Sequence, residues 1–277
     1  MLGFGPFIDE WKLIEYEQKK KKMVSKSDRP ESSLIEPDEA INWFEKGSNL
    51  ADQGKKEEAL KAYEKAIELD PKSAKPWNGK GNVLYDLGKK EEALKAYEKA
   101  IELDPKYAYP WNGKGNVLYD QDKKEEALKA YEKAIELDPK FAKPWNNKGF
   151  VLRDQGENEE ALKAYEKAIE LDPKFANPWN GKGNVLYDQD KKEEALKAYE
   201  KAIELDPKFA KPWNNKGNVL RDQGKKEEAL KAYEKTIELD PKYATAWHNK
   251  GLALKALGRK SQADECFARA KELWAKG

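Results

Sequence analysis

Tryptophan returns every 34 residues along most of this chain, and no other feature of the sequence constrains the fold as strongly. The seven members of the series are Trp43, Trp77, Trp111, Trp145, Trp179, Trp213 and Trp247. A glycine follows each of them four positions later, and a proline keeps the same 34-residue step from Pro71 to Pro241. A fixed period of this length indicates supersecondary units that stack on one another.

Seven units account for nearly the whole chain when the first boundary is placed before Ala40. They fill residues 40–277 without insertion, as 40–73, 74–107, 108–141, 142–175, 176–209, 210–243 and 244–277. Residues 1–39 lie outside the period and form a separate N-terminal arm. The predicted organisation is therefore one arm followed by one array.

The first half of each unit predicts a helix, as residues 74–107 show. Pro76 suits the first turn of a helix, where its missing N–H is not needed. Trp77, Gly81 and Leu84 follow at helical spacing and share one face. Gly81 has no side chain, so a neighbouring helix is expected to come close there. Gly88 is suited to the left-handed conformation that ends such a helix.

The second half of the unit predicts another helix, from Glu91 to about Asp104. Tyr97 and its alanine neighbours occupy one face, while Leu94 and Ile101 occupy another. A helix of this length cannot bury two apolar faces alone, so we expect the leucine and isoleucine to pack against the next unit. In the seventh unit the equivalent positions carry Asp264 and Lys271, which is typical of a capping end.

The sequence of these units resembles the tetratricopeptide repeat family. That family's 34-residue pattern is W-x₂-L-G-x₂-Y, then A-x₃-F, then P. The third unit reads Trp111-x₂-Lys114-Gly115-x₂-Leu118, then Ala127-x₃-Tyr131, then Pro139. Two departures recur, namely lysine before the glycine and leucine at the first tyrosine position. The resemblance covers 238 of 277 residues and implies an all-α, right-handed superhelical solenoid of helix-turn-helix units.

The units also repeat in pairs. Units 3 and 5 differ only in having Tyr109 in one and Asn177 in the other. Units 4 and 6 share the sequence Pro-Trp-Asn-Asn-Lys-Gly and an arginine, Arg153 or Arg221. This pattern suggests duplication of a segment of 68 residues.

The composition disfavours catalysis and nucleic-acid binding. Lysine plus arginine (53) balances aspartate plus glutamate (52), and the net charge is +1. One cysteine and one histidine leave no pattern for a metal site, a cofactor or a catalytic centre. No apolar run is long enough to span a membrane, and the first residues lack the features of a signal peptide. We therefore predict a non-catalytic, cytoplasmic protein without cofactor.

A polar stripe along the first helices is the predicted binding site. In tetratricopeptide arrays the first helices line a concave surface that receives extended peptides, so the resemblance implies the same use here. Asparagine both donates and accepts hydrogen bonds and could bind a peptide backbone. The predicted groove residues are Lys75, Asn78, Asn82, Tyr85, Asn112, Asn116, Tyr119, Asn146, Arg153, Asn180, Asn184, Tyr187, Asn214, Asn218 and Arg221. The same stripe carries Tyr109, Lys143, Phe150, Asn177 and Lys211.

The charge of the partner cannot be read from this stripe. The carboxylate clamp known in the family is not rebuilt, because asparagine occupies its first lysine position and glycine or asparagine its arginine position. Aspartates from Asp86 to Asp222 also follow the edge of the groove. The partner is expected to be a protein or an extended peptide of undefined charge.

Three further features leave alternatives open. The lysine three positions after each tryptophan either covers the indole ring or contacts a ligand. His248 replaces an asparagine and is either a surface residue or a ligand contact, whereas Cys266 replaces an alanine and is expected to be structural. Residues 1–24 of the arm carry an amphipathic segment around Trp11 that caps unit 1, fills a groove, mediates self-association or is disordered. A self-assembling structural protein is the alternative to a binding scaffold.

Overall fold

The computed structural model describes residues 37–276, and everything in that range is organised as successive antiparallel helix pairs. The helices are α1 (Pro37–Asp52), α2 (Lys56–Leu69), α3 (Ala74–Asp86), α4 (Lys90–Leu103), α5 (Ala108–Asp120), α6 (Lys124–Leu137), α7 (Ala142–Asp154), α8 (Asn158–Leu171), α9 (Ala176–Asp188), α10 (Lys192–Leu205), α11 (Ala210–Asp222), α12 (Lys226–Leu239), α13 (Ala244–Ala256) and α14 (Lys260–Lys276). No strand occurs between residues 37 and 276. The all-α prediction is confirmed, while the predictions for the arm concern residues outside the described range.

The turn inside each unit depends on one left-handed residue. Gly88 has φ +75°, as predicted, and its N–H donates to the carbonyl of Tyr85 at 2.9 Å. In units 3 and 5 aspartate stands at this position, and Asp122 (φ 61°) and Asp190 (φ 59°) adopt the same conformation. Aspartate tolerates this region better than most residues because its short side chain can bond locally. The hairpin geometry is therefore the same with either residue.

The turn between units is built by the Asp-Pro-Lys sequence. Helix α4 ends at Leu103, and the N–H of Asp104 still donates to the carbonyl of Ala100 at 3.0 Å. The Oδ1 of Asp104 then accepts the N–H of Lys106 at 3.0 Å, which closes a side-chain turn. Because the next residue is proline, the helix cannot continue.

The order of contacts shows which helices face inward. Each first helix contacts the first helix of the next unit, whereas no two second helices contact each other among the described residues. An array in which only one row of helices is in mutual contact curves with that row on the inside. The odd-numbered helices α3 to α13 therefore line the concave face.

The hydrophobic core repeats with the units and is continuous between them. In unit 3 it contains the buried residues Leu118, Ala127 and Tyr131, with Val151 added from unit 4. Leu128 packs against this cluster and against that of unit 4, as predicted for the leucine of each second helix. No unit has a closed core of its own, so neighbouring units stabilise each other.

A tyrosine ring wedges between the glycines of successive first helices. A Cβ added at Gly81 would lie 2.6 Å from the ring of Tyr97, and one added at Gly113 would lie 2.4 Å from it. Both distances are shorter than real Cβ contacts, so the ring fills the space that each glycine leaves open. The predicted close approach at Gly81 is thus made by the second helix of its own unit.

The recurrent lysine joins each unit to the one before it. Its ammonium lies 4.3–6.0 Å from the centroid of the tryptophan ring of its own helix in all seven units. In units 2 to 7 it also pairs with a glutamate on the second helix of the preceding unit, as in Lys148–Glu132 at 2.7 Å. The structural interpretation of this lysine is the one that these contacts support.

Deleting residues 244–277 should make the array prone to self-association. Leu230 is buried by unit 7, where it packs in one cluster with Ala253 and Leu254, and Ile237 is half-buried. Exposing a leucine of this kind costs about 1.5–3 kcal/mol, and the new apolar face is open to other molecules. Light scattering and thermal unfolding of the truncated chain measure both effects.

A matched control is available in the sequence itself. Leu230→Asp with Ile237→Lys in the truncated chain reproduces the exposed charges of Asp264 and Lys271. This variant should remain monomeric. A truncated chain that is monomeric without these substitutions would show that unit 7 does not act as a cap.

Candidate peptide-binding groove

Two cavities follow one another along the concave face. The first cavity has a volume of about 460 Å³ and is lined by residues of units 2 to 5. The second cavity has a volume of about 480 Å³ and is lined by residues of units 4 to 6. Asn146 and Asn177 line both, so the cavities form one groove along the first helices.

The structure brings most of the predicted site residues into this groove. Those that line the first cavity are Asn78, Asn82, Tyr85, Asn112, Asn116 and Asn146. Those that line the second cavity are Asn146, Arg153, Asn180, Asn184, Tyr187 and Asn218. Lys75, Tyr119, Asn214 and Arg221 line neither cavity.

The two cavities are related by the 68-residue repeat. A shift of 68 positions carries Asn112 to Asn180 and Phe141 to Phe209, and it carries Lys143 to Lys211. The 68-residue similarity between pairs of units is therefore also present in the surface of the groove. The cavities differ where the duplicated units differ, most clearly at Asn82 and its counterpart Phe150.

The groove asparagines bond to one another between units. The Nδ2 of Asn147 donates to the Oδ1 of Asn112 and to the Oδ1 of Asn116, both at 3.0 Å. The hydroxyl of Tyr131 donates to the same Oδ1 of Asn116 at 2.9 Å. Equivalent clusters form around Asn215 and Asn249. These bonds stitch adjacent units together on the concave face.

This arrangement changes what the asparagines can offer a ligand. A carbonyl oxygen accepts two hydrogen bonds, and those of Asn116 and Asn184 both receive two from the protein. Their amide N–H groups remain as donors, so the expectation that they also accept is wrong. Three of the predicted site residues, Asn78, Asn180 and Asn214, are buried.

A second set of bonds runs along the groove edge. Tyr119 donates to Asp154 of the next unit at 3.2 Å, and the Nε of Arg153 donates to Asp188 at 2.7 Å. Tyr187 makes the same contact with Asp222. A hydrogen bond from Lys124 lowers the pKa of Asp154. Tyr119, Arg153 and Tyr187, which are among the predicted groove residues, are therefore each bonded to the following unit.

The charged side chains that line the second cavity leave it with a net positive charge. Lys143 and Lys211 are exposed and make no ion pair with any residue between 37 and 276. In the second cavity Lys211 adds to Arg153, and only Asp188 opposes them. The first cavity balances Lys143 with Asp86. The pairing of the groove aspartates thus gives the second cavity a net positive charge, which the sequence did not predict.

One row of groove residues was not predicted from the sequence. The last position of each unit is aromatic from unit 2 to unit 6, and it supplies Phe141 and Phe175 to the first cavity and Phe209 and Tyr243 to the second. The signal was present, because this aromatic residue keeps the 34-residue step. It was missed because the position precedes the first helix and does not belong to its face.

The two singular residues have structural environments. The ring of His248 lies 5.3 Å from that of Phe267 and 5.5 Å from that of Trp274, measured between centroids. Cys266 is buried, and burial raises the pKa of its thiol, so it is held in the less reactive protonated form. Between residues 37 and 276 there is no group of three His, Cys, Asp or Glu residues that could hold a metal ion. No helix in the same range is long and apolar enough to cross a membrane.

Fold and groove together define a solenoid of helical hairpins with a polar and aromatic concave face. Family profiles described as TPR repeat match residues 47–88, 81–122, 149–190 and 217–258. Profiles described as tetratricopeptide repeat match residues 108–141, 130–163, 176–209, 198–231 and 244–273. The chain belongs to the tetratricopeptide repeat family.

Solved structures agree with this assignment. A crystal structure of MamA is 28% identical, with a TM-score of 0.50 over 58% of this chain and 95% of that one. PilF of Pseudomonas aeruginosa is 22% identical, with a TM-score of 0.63 over 74% of this chain and 94% of that one. A chain of the APC/C hetero-tetramer Cut9-Hcn1 is 19% identical, with a TM-score of 0.75 over 82% of this chain and 45% of that one. The last two structures show the shared fold. A search of curated proteins found no match to the chain.

Stability should fall as the pH rises through the range from 10 to 12. Burial and the bond to Asp222 raise the pKa of Tyr187 to about 12, whereas tyrosine in an unfolded chain ionises near pH 10. Below about pH 10 the hydroxyl of Tyr187 keeps its proton in both the folded and the unfolded chain, and its contribution to the stability of the fold is complete. Above it the unfolded chain ionises first, so folding is progressively disfavoured.

Urea unfolding at pH 8 and pH 11 tests this, with Tyr187→Phe as the comparison. Lysines titrate equally in both proteins, so the difference between them isolates the tyrosine. The variant should lose less stability between the two pH values. Equal losses of stability in the two proteins would show that Tyr187 does not contribute to this pH dependence.

Proposed function

We propose that this chain is a non-catalytic scaffold that binds an extended segment of another protein in the concave groove. The observation that carries the proposal is the pair of equivalent cavities that share Asn146 and Asn177 and form one groove. Such a surface suits an extended chain that crosses several units, and membership of the tetratricopeptide repeat family supports a protein-binding role.

The free hydrogen-bonding groups define the ligand chemistry. The amide N–H groups of Asn116 and Asn184 remain available once their oxygens are used within the protein. Lys143 and Lys211 add charged donors on the same face. A surface rich in donors fits backbone carbonyls and carboxylates, while the aromatic row from Phe141 to Tyr243 accommodates apolar side chains.

Catalysis, cofactor binding and nucleic-acid binding have no part in this proposal. The near-neutral sequence offers no basic surface of the kind that binds phosphate backbones. A single buried cysteine fits a reducing compartment such as the cytoplasm.

The charges near both ends of the array favour a scaffold over a self-stacking protein. The second-helix positions that face the next unit carry exposed Asp264 and Lys271 in unit 7. In unit 1 the position of Gly79 and Gly113, where the tyrosine ring of a preceding unit packs, is occupied by Glu45. Stacking one copy on another would place these charges at positions that are uncharged in every contact between units of the array.

Light scattering over a wide range of protein concentration should therefore give a constant mass. A mass that increases with concentration would favour the self-assembling alternative. The measurement uses the full chain, so it includes any association through residues 1–24.

Reversing the two groove lysines should weaken partner binding strongly. The partner is first captured from native cytosol on the immobilised wild-type chain and identified by mass spectrometry. Lys143→Glu with Lys211→Glu replaces attraction with repulsion at two points, and we expect at least a tenfold loss of affinity. Both side chains are exposed and unpaired, so the thermal unfolding temperature should change little.

The control makes the same change of charge outside the groove. Lys129 and Lys197 are exposed on second helices and line neither cavity. Their double reversal should leave affinity within about twofold of the wild type. Equal losses in both variants would move the binding site away from the groove. Asparagine substitutions are less informative, because Asn112 and Asn180 also bond to neighbouring units.

A further inference from the structure

One tyrosine in the array lacks the hydrogen bond that its counterparts make. The tyrosine of each second helix donates to the residue 15 positions earlier, as Tyr97 does to Asn82 at 2.8 Å and Tyr199 to Asn184 at 2.9 Å. The other members of this series donate in the same way to Ser48, Asn116 and Asn218. At Tyr165 the residue 15 positions earlier is Phe150, which has no acceptor.

The hydroxyl of Tyr165 therefore has no partner between residues 37 and 276. The side chain is 99% buried, with 1% of its surface exposed, and it lines the second cavity. The hydroxyl oxygen is not fully enclosed, so water or a ligand in the cavity can accept the hydrogen bond that no residue between 37 and 276 accepts. The repeated tyrosine–asparagine hydrogen bond is thus missing at Tyr165, and the free hydroxyl lies at the groove.

Phe150 adds an apolar surface at the same place. It is 46% exposed, and its ring packs edge-on against Tyr119 at 5.2 Å between centroids. In the four units where asparagine occupies this position, the side chain is polar and bonded to a tyrosine. The second cavity therefore has an apolar ring at the asparagine position and a tyrosine hydroxyl without a protein acceptor, whereas in the first cavity Asn82 and Asn116 occupy that position and Tyr97 is bonded to Asn82.

The charge of the second cavity selects the kind of acceptor. Arg153 and Lys211 line it, and Asp188 is bonded to Arg153, so one positive charge is left over. Water can satisfy a hydroxyl, but it does not neutralise a lysine. A group that does both is a carboxylate.

We propose that the second cavity is a recognition pocket for a carboxylate of the bound segment, with Tyr165 as its hydrogen-bond donor, Lys211 as its counter-charge and Phe150 as the apolar wall beside it. This inference rests on the groove binding proposed above and specifies its ligand. An acidic side chain and the free end of a chain share this chemistry. The neighbouring residue of the ligand is apolar.

Three pools of fluorescein-labelled nonapeptides distinguish these sources. All are random except for two fixed central residues. The first has leucine and glutamate with an amidated end, the second leucine and glutamine with an amidated end, and the third leucine and glutamine with a free carboxylate. Wild-type protein should bind the first or the third pool more tightly than the second in fluorescence anisotropy, and the tighter pool identifies the source.

Tyr165→Phe and Tyr131→Phe form a matched pair of variants. Tyr165→Phe removes a hydroxyl that the protein does not use, so its melting temperature should not fall, and its affinity for the acidic pool should fall about three- to tenfold. Tyr131→Phe removes a hydroxyl bonded to Asn116, so it should melt lower and keep the affinity. Tyr131 lines neither cavity.

Phe150→Asn provides a second test, because it restores an acceptor for the hydroxyl of Tyr165. It supplies the acceptor present in units 2, 3, 5 and 6, so it should raise the melting temperature and abolish the preference for acidic peptides. Equal binding of the three pools by the wild type, or unchanged affinity in a folded Tyr165→Phe variant, would overturn the pocket. If reversal of Lys143 and Lys211 still weakened the natural partner in that case, groove binding would stand without this pocket.

Discussion

The packing of one tyrosine ring between two glycines underlies the architecture of the array. The ring of Tyr97 occupies the space left open at Gly81 in its own unit and at Gly113 in the next. This contact fixes the second helix against two first helices at once, and it lets successive first helices approach each other. Since no two second helices between residues 37 and 276 are in contact, the array curves, and its first helices form a groove.

Polar bonds along the groove belong to the same construction. Asn147 bonds to two asparagines of the preceding unit, and Arg153 to an aspartate of the following one. Residues that look available for a ligand are therefore also part of the contact between units. The carbonyl oxygens of Asn116 and Asn184 receive two bonds each from the protein, whereas their amide N–H groups and the exposed Lys143 and Lys211 are not used in this way.

The similarity between units 68 residues apart, which suggests duplication of a two-unit segment, is also seen in the two related cavities of the groove. Phe150 in place of asparagine is one of the differences between the second cavity and the first. It removes the acceptor from Tyr165 and exposes an apolar ring at the same point. One substitution in a nearly identical series of units thus changes the polarity of the groove at one point.

The sequence by itself determined the helical pairs, their boundaries to within a residue or two, the left-handed turn at Gly88 and the leucine contacts between units, because these follow from periodicity and from local backbone preferences. It also placed most of the groove residues on one face, such as Asn112 and Asn184. Tertiary structure decided which of their hydrogen-bonding groups remain free. Partners such as Asn147 and Asp188 come from neighbouring units, so whether a group is bonded within the protein depends on distances that only the packed units fix. It also brought in the aromatic row from Phe141 to Tyr243, which lies before each first helix and reaches the groove only when the units stack.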